Sequence, residues 1–225
     1  MEVLPFVLFA VVAVAVLIGG YILKQRRREA FRAFALHHGL EFSVGDPFGL
    51  LDRPFSLFRR GDGRGIENVA HGPWKGEPVL AFDYWYYTEH QNSKGGRTRS
   101  YRRFSCVLVE VPAAFPHLEI GREGVFTRLA DHLGMEDIEF ESPEFNRRYN
   151  VKADNRRFAF ELLDARMLEW LVGFDQGLAF EVLGNRVLAY GGRRKPHLLM
   201  PMIETARMFR DRIPRVARNL YPLAG

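Results

Sequence analysis

Val3-Leu4-Pro5-Phe6-Val7-Leu8-Phe9-Ala10-Val11-Val12-Ala13-Val14-Ala15-Val16-Leu17-Ile18-Gly19-Gly20-Tyr21-Ile22-Leu23 is a run of 21 residues without a charge. At about 1.5 Å of rise per residue, a helix of this length crosses a hydrocarbon layer roughly 30 Å thick. A cleaved signal peptide would need a basic stretch ahead of a shorter apolar core, with small residues at a cleavage site. Here only Met1 and Glu2 precede the run, and Lys24-Gln25-Arg26-Arg27-Arg28 follows where cleavage would occur. Residues 1–23 therefore read as a retained transmembrane helix, with the bilayer as partner of residues 3–23. Pro5 is ordinary in a span, and the Gly19-Gly20 pair marks a local bend, since its spacing is not small-xxx-small.

Lysine and arginine at the end of a span are held on the cytoplasmic side. The expected topology is a single pass through the cell (plasma) membrane, with the N-terminus outside and the C-terminal domain cytoplasmic. The same cations, Lys24, Arg26, Arg27 and Arg28, are candidate ligands for anionic headgroups. They also explain the charge. The chain carries +5 overall, with an isoelectric point near 9.5. Five of its bases lie between Lys24 and Arg32, while residues 33–225 hold 27 bases against 25 acids. The basicity is chiefly a collar on the anchor, so it argues topology before nucleic acid.

A content of 47% hydrophobic residues excludes disorder for most of the chain, and the one cysteine excludes a disulfide framework or a multi-cysteine metal site. Phe31, Phe34, Ala35 and His38 recur at helical spacing before Gly39, which predicts a juxtamembrane basic helix over 24–39. Residues 40–67, with Asp46-Pro47, Arg53-Pro54 and Gly61-Asp62-Gly63-Arg64-Gly65, read as a connecting loop in which the glycine run is a flexible turn.

Residues 68–225 read as one domain. Val79–Thr88 and Tyr101–Val111 are aromatic and β-branched strand candidates joined by a long mobile tip over Glu89–Ser100, and Pro112 and Pro116 end the second strand. Val125, Leu129 and Leu133 suggest a helix. Ile138–Glu141 and Phe145–Val151 alternate like strands. Asp154 and Asp164 suit N-caps of helices reaching Leu163 and Val172. Gly184-Asn185 predicts a two-residue hairpin that sets Val182 opposite Val187 and Phe180 opposite Ala189, with one apolar face on the core. Met202, Ala206, Phe209 and Ile213 share a final helix face, with Pro214 breaking it. This order suits an α+β fold: an N-terminal transmembrane helix followed by an antiparallel sheet covered by helices.

Two stretches carry a resemblance. One is Asn68-Val69, Gly72, Gly76, Val79 and Phe82-Asp83-Tyr84-x-Tyr86. The other is Glu141-Ser142-x-Glu144-Phe145-Asn146-Arg147-x-Tyr149-x-Val151-x-x-Asp154. Together they resemble uncharacterised bacterial proteins that join N-terminal spans to a soluble domain of unknown function, over about half of the chain. The resemblance implies a bacterial, membrane-anchored domain and no reaction. Arginine outnumbers lysine 27 to 5, the usage of a GC-rich genome, which points to an actinobacterium.

Catalytic signatures are sparse. Cys106 shares a strand face with Phe104 and Leu108 and reads as core. The seven histidines form no zinc-protease pattern, and His117-Leu118-Glu119 matches only half of the zinc-deaminase signature, without its Pro-Cys-x-x-Cys half. Glu136, Asp137, Glu139, Glu141 and Glu144 read as a solvated face. No catalytic, cofactor-binding or metal-binding residue is assigned, and no cofactor is expected. The candidate ligand or partner surface is Asp83, Tyr84, Tyr86, Arg97, Arg99, Arg102 and Arg103, an aromatic strand beside a basic hairpin. Asp83 is expected to pair with a nearby arginine. The leading expectation is a protein-partner or headgroup-binding domain. The alternative is a membrane-tethered enzyme, for which Asp83, Arg102 and Arg103 must converge on one pocket. Nucleic acid is the least favoured ligand, because the anchor already holds the domain beside the anionic leaflet.

Overall fold

The structure, a computed structural model, describes residues 3–91, 95–122, 135–174 and 176–223. Its first element is one uninterrupted 35-residue helix, α1 (Val3–His37). The apolar part is largely exposed: Phe9, Leu17 and Leu23 each keep most of their surface free. About two to three turns later the same helix buries Phe31, Phe34 and Ala35 in the domain's core. Span and juxtamembrane helix are therefore one element, ended as expected by Gly39 in the left-handed conformation (φ +68°).

The rest is an antiparallel sheet of seven strands: β1 (Glu41–Ser43), β2 (Gly63–Trp74), β3 (Glu77–Gln91), β4 (Arg97–Arg122), β5 (Glu136–Ile138), β6 (Tyr149–Ala153) and β7 (Ala179–Gly192). β4 is the central strand. One edge pairs with β7, and the other pairs first with β3 and then with β6. One face packs against α1, α3 (Arg156–Leu162), α4 (Ala165–Gly173), α5 (Leu199–Arg212) and α6 (Arg215–Leu220). The other face is covered by residues 44–62, where 3-10 turns at Leu50–Asp52 and Ser56–Arg59 press Leu50, Phe55, Leu57 and Phe58 onto Phe82, Tyr84, Cys106, Leu108 and Tyr190. Cys106 is fully buried there, and burial raises its thiol pKa well above the usual range, so it is the core residue its strand face implied.

Several local expectations are corrected. The segment 40–67 is not a loop throughout: β1 pairs with β2, and β2 begins at Gly63. Gly63 and Gly65 do not mark a turn. They lie opposite Tyr87 and Trp85, whose rings occupy the space a Cβ would take, 2.7 Å from Trp85 Cζ2 at Gly65. The tip over Glu89–Ser100 is mostly strand, because Glu89, His90 and Gln91 pair with Arg99, Thr98 and Arg97. β4 runs on through Pro112 and Pro116. Its register against β7 shifts twice between Glu110 and Leu118, and such bulges are where a strand tolerates residues that cannot donate to the ladder.

The Gly184-Asn185 hairpin does not form. β7 is one strand along β4, with Val182 opposite Leu118 and Val187 opposite Val109. Gly184, at φ +56°, is paired with Phe115 inside the bulged region. The irregularity switches side-chain parity, so Phe180, Val182, Val187 and Ala189 all still reach the same core. The apolar face was right although the turn was not.

Phe145 belongs to α2 (Pro143–Arg148), which Ser142 caps by accepting the Phe145 N–H, and only the residues from Tyr149 form a strand. α3 is capped by Asn155 in place of Asp154. Asp164 caps α4 as expected, accepting the Met167 N–H at 2.9 Å, and Pro214 separates α5 from α6. The helix expected around Val125, Leu129 and Leu133 falls outside the described residues.

Candidate functional site

Where the span meets the domain, α1 and the β3–β4 hairpin enclose a cavity of about 520 Å³. Gly20, Leu23 and Lys24 form its helix side, and Trp85, Tyr101 and Arg103 its sheet side. The junction is held by a buried ion pair. Arg27 donates through Nε to Asp83 Oδ2 at 2.6 Å and through Nη2 to Asp83 Oδ1 at 2.5 Å, and Nη2 also reaches the Arg194 carbonyl at 2.9 Å. Asn68 Nδ2 adds a third donor to Asp83 at 3.0 Å. Asp83 has the arginine partner its aromatic surroundings demanded, supplied by the collar of the span. One helical turn earlier, Lys24 pairs with Glu67 at 2.9 Å.

The candidate residues divide by face. Strand alternation sends Asp83, Trp85 and Tyr87 to one side and Tyr84 and Tyr86 to the other. Arg103 stands opposite Trp85 and Arg102 opposite Tyr86, so Asp83 and Arg103 share a face and Arg102 does not. The convergence that the tethered-enzyme reading requires is absent. Tyr84 is core and not surface: it is buried, its hydroxyl donates to the Leu57 carbonyl at 2.8 Å, and burial raises its pKa. Tyr86 stacks on Phe104 at 5.8 Å. Arg27 points inward, while Arg26 remains exposed and Arg28 half-buried.

On the hairpin face the aromatic rings run in series. Trp85 lies 6.3 Å from Tyr87 and 5.9 Å from Tyr101. Arg99 covers the Tyr87 ring at 4.5 Å and pairs with Glu89 at 2.8 Å, Arg97 stands 3.8 Å from Glu89, and Arg103 lies 5.2 Å from the Tyr101 ring. Cations over aromatic faces keep the rings amphipathic, apolar at the body and charged at the rim.

A second polar cluster lies on the opposite face. Glu119 of β4 and Glu181 of β7 are directly paired and almost fully buried, and His117 joins them. His117 Nε2 is 2.6 Å from Glu181 Oε1 and 3.9 Å from Glu119. Glu181 also accepts the backbone N–H of Ser56 at 2.5 Å and of Leu57 at 3.3 Å, and Arg60 lies 3.8 Å from Glu119. Burial lowers the His117 pKa, but the hydrogen bond and charge of Glu181, with Glu119 and Asp154, outweigh it and raise the value overall. Burial, then the charge of Glu181, raises Glu119. Among the described residues this is the cluster whose donors could hold a metal, one imidazole and two carboxylates within 4.8 Å of one another. Glu181's oxygens already serve the start of the Ser56–Arg59 turn, so the cluster works as a tie between the sheet and its covering segment. His117-Leu118-Glu119 was visible in the sequence; Glu181 was not, because cross-strand pairing alone brings it there.

No family model and no curated protein matches the chain. A solved structure shares its fold. The crystal structure of the mycobacterial trehalose monomycolate transport factor A, TtfA, superposes with a TM-score of 0.63 at 15% identity, covering 88% of this chain and 98% of that one. At that identity the likeness is one of fold alone, an α+β architecture with an antiparallel sheet and helices. Anchor and folded domain together describe a membrane-anchored protein with a soluble domain.

Proposed function

We propose that this protein is a single-pass anchor, N-terminus outside, whose cytoplasmic domain docks on the anionic headgroups of the inner leaflet through its basic collar and the β3–β4 hairpin. The supporting observation is the junction itself. Asp83 holds Arg27, one turn past the start of the collar, and the hairpin beyond Asp83 lies beside Gly20 and Leu23 of the span. A hairpin so close to the apolar run meets the headgroup layer, and its exposed surface suits that layer. Tryptophan and tyrosine favour membrane interfaces, and each exposed cation contributes about 1 kcal/mol near an anionic leaflet.

The test is hydrogen exchange on the full chain in nanodiscs. Amides of the hairpin between Tyr84 and Arg103 should gain protection when anionic lipid replaces zwitterionic lipid, and should lose that gain in high salt. Equal exchange in both lipids would reject headgroup docking and leave a protein partner as the occupant of the hairpin. Orientation is tested by a periplasm-dependent reporter at the C-terminus, which should stay silent.

A second reading follows from the shared fold. TtfA is described as a transport factor for trehalose monomycolate, and an accessory role in moving a lipid is compatible with a domain held at the leaflet. Co-purification of a membrane transporter with the full chain would favour it over docking alone.

A further inference from the structure

The cavity at the end of the span contains more positive charge than its own acids neutralise. Asp83 is met by the two-pronged contact from Arg27, and Glu67 by Lys24. Arg193 stands 3.7 Å from the already paired Asp83, with its side chain 35% exposed. Arg103 has no acidic partner among the described residues and rests on the Tyr101 ring. Phe104 pairs with Gly192 at the end of the β4–β7 ladder, so the next position outward brings Arg103 and Arg193 together. Burial lowers the Arg193 pKa, Asp83 raises it, and the like charges of Arg27 and Arg103 lower it again. An anion between these guanidinium groups would relieve that crowding.

The remaining wall says which kind of anion. Gly20 and Leu23 belong to the apolar run, and a Cβ added at Gly20 would meet nothing within 4 Å. The space beside the cations thus opens along the lipid-facing helix. Trp85 and Tyr101 complete it with rings suited to the boundary between headgroup and acyl chain. A soluble phosphate would use the cations and leave the helix wall bare, whereas an amphiphile uses both.

We infer that this cavity binds one anionic phospholipid, with its phosphate between Arg103 and Arg193 and an acyl chain along the Gly20 face of α1. The inference rests on the reading that hairpin and span end meet the headgroup layer, and it adds a stoichiometric site to a diffuse attraction.

The experiment is native mass spectrometry of the full chain in non-ionic detergent, titrated with phosphatidylglycerol, phosphatidylcholine or soluble glycerol 3-phosphate. A one-to-one adduct with phosphatidylglycerol is expected, well above the other two. Removing both guanidinium groups (Arg103→Gln with Arg193→Gln) should weaken it about 25-fold, roughly fivefold for each cation. Gly20→Leu fills the helix side without touching a charge or the domain core, and should weaken it as well. Arg147→Gln with Arg166→Gln, exposed on helices outside the cavity, should leave it in place. Equal adducts with phosphatidylcholine, or equal binding of glycerol 3-phosphate, would overturn an anionic lipid as the ligand. An adduct untouched by both cavity variants would overturn the site. Hairpin protection on anionic nanodiscs without a specific adduct sinks this inference alone; loss of the protection sinks the docking reading on which it rests.

Discussion

Arg27 and Asp83 face each other through two parallel hydrogen bonds, one residue from the helix that leaves the membrane and the other from the middle strands of the sheet. The arginine side chain is 14% exposed and the carboxylate 5%. Removing one member of such a pair strands a desolvated charge, a loss of about 3 kcal/mol, more than the intact pair contributes. Asp83→Asn should therefore lower the melting temperature of the full chain in detergent and speed amide exchange in residues 24–40. Arg27→Met with Asp83→Leu, which removes both charges, should recover most of the loss. If the double variant is as unstable as the single one, the pair is not the fastening.

The His117 cluster sets a direction for pH. A histidine whose folded pKa is raised above its ordinary 6.5 stabilises the fold at pH values below that figure, and the contribution is lost as pH rises through the folded value. Glu119, also raised, acts in the same sense: from its ordinary 4.5 upward, the fold resists its ionisation. The segment 44–62 should be held most firmly near pH 5 and loosen toward about pH 8. Exchange of the Ser56 and Leu57 amides followed across that range should speed up beyond the intrinsic pH effect, and His117→Gln should flatten the trend.

Two glycines should respond to alanine for opposite reasons. Gly65 has an extended backbone but no room, since a Cβ would lie 2.7 Å from the Trp85 ring, so Gly65→Ala should cost about 1–3 kcal/mol through overpacking. Gly184 has room but a left-handed backbone at φ +56°, so Gly184→Ala should cost about 1 kcal/mol through strain alone. Denaturant melts separate the causes: Trp85→Leu should rescue the first and leave the second unchanged.

Phe209 of α5 stacks on Phe180 of β7 with centroids 4.4 Å apart and planes 11° from parallel, and both rings are buried. Phe209→Ala should destabilise the domain by about 3–5 kcal/mol. A loss near 1 kcal/mol in a chemical melt would mean that α5 does not close the core.

What the chain disclosed in advance follows the reach of each signal. The span, Gly39, Asp164 and Pro214 act within a turn of themselves, and each does what its neighbours implied. Gly184-Asn185 carried the strongest short-range turn signal and misled, because β7 gains more by pairing along all of β4 than by folding onto itself. Gly63 and Gly65 misled for a related reason: the rings that require them arrive from β3, and a flexible turn and a crowded strand are spelled alike. At the site, an arginine partner for Asp83 was foreseeable from its aromatic burial, but not that the membrane collar would supply it. Tyr84 looked like surface because nothing nearby announces the 3-10 turn that covers it.

The uninterrupted α1 has a mechanical corollary. The helix that lies in lipid is the one whose Phe31 and Phe34 are locked into the core, so the domain has no swivel. Where the bilayer is thinner than the span is long, the span answers by tilting, and the domain leans with it. A protein built this way transmits the local thickness of its membrane as an angle.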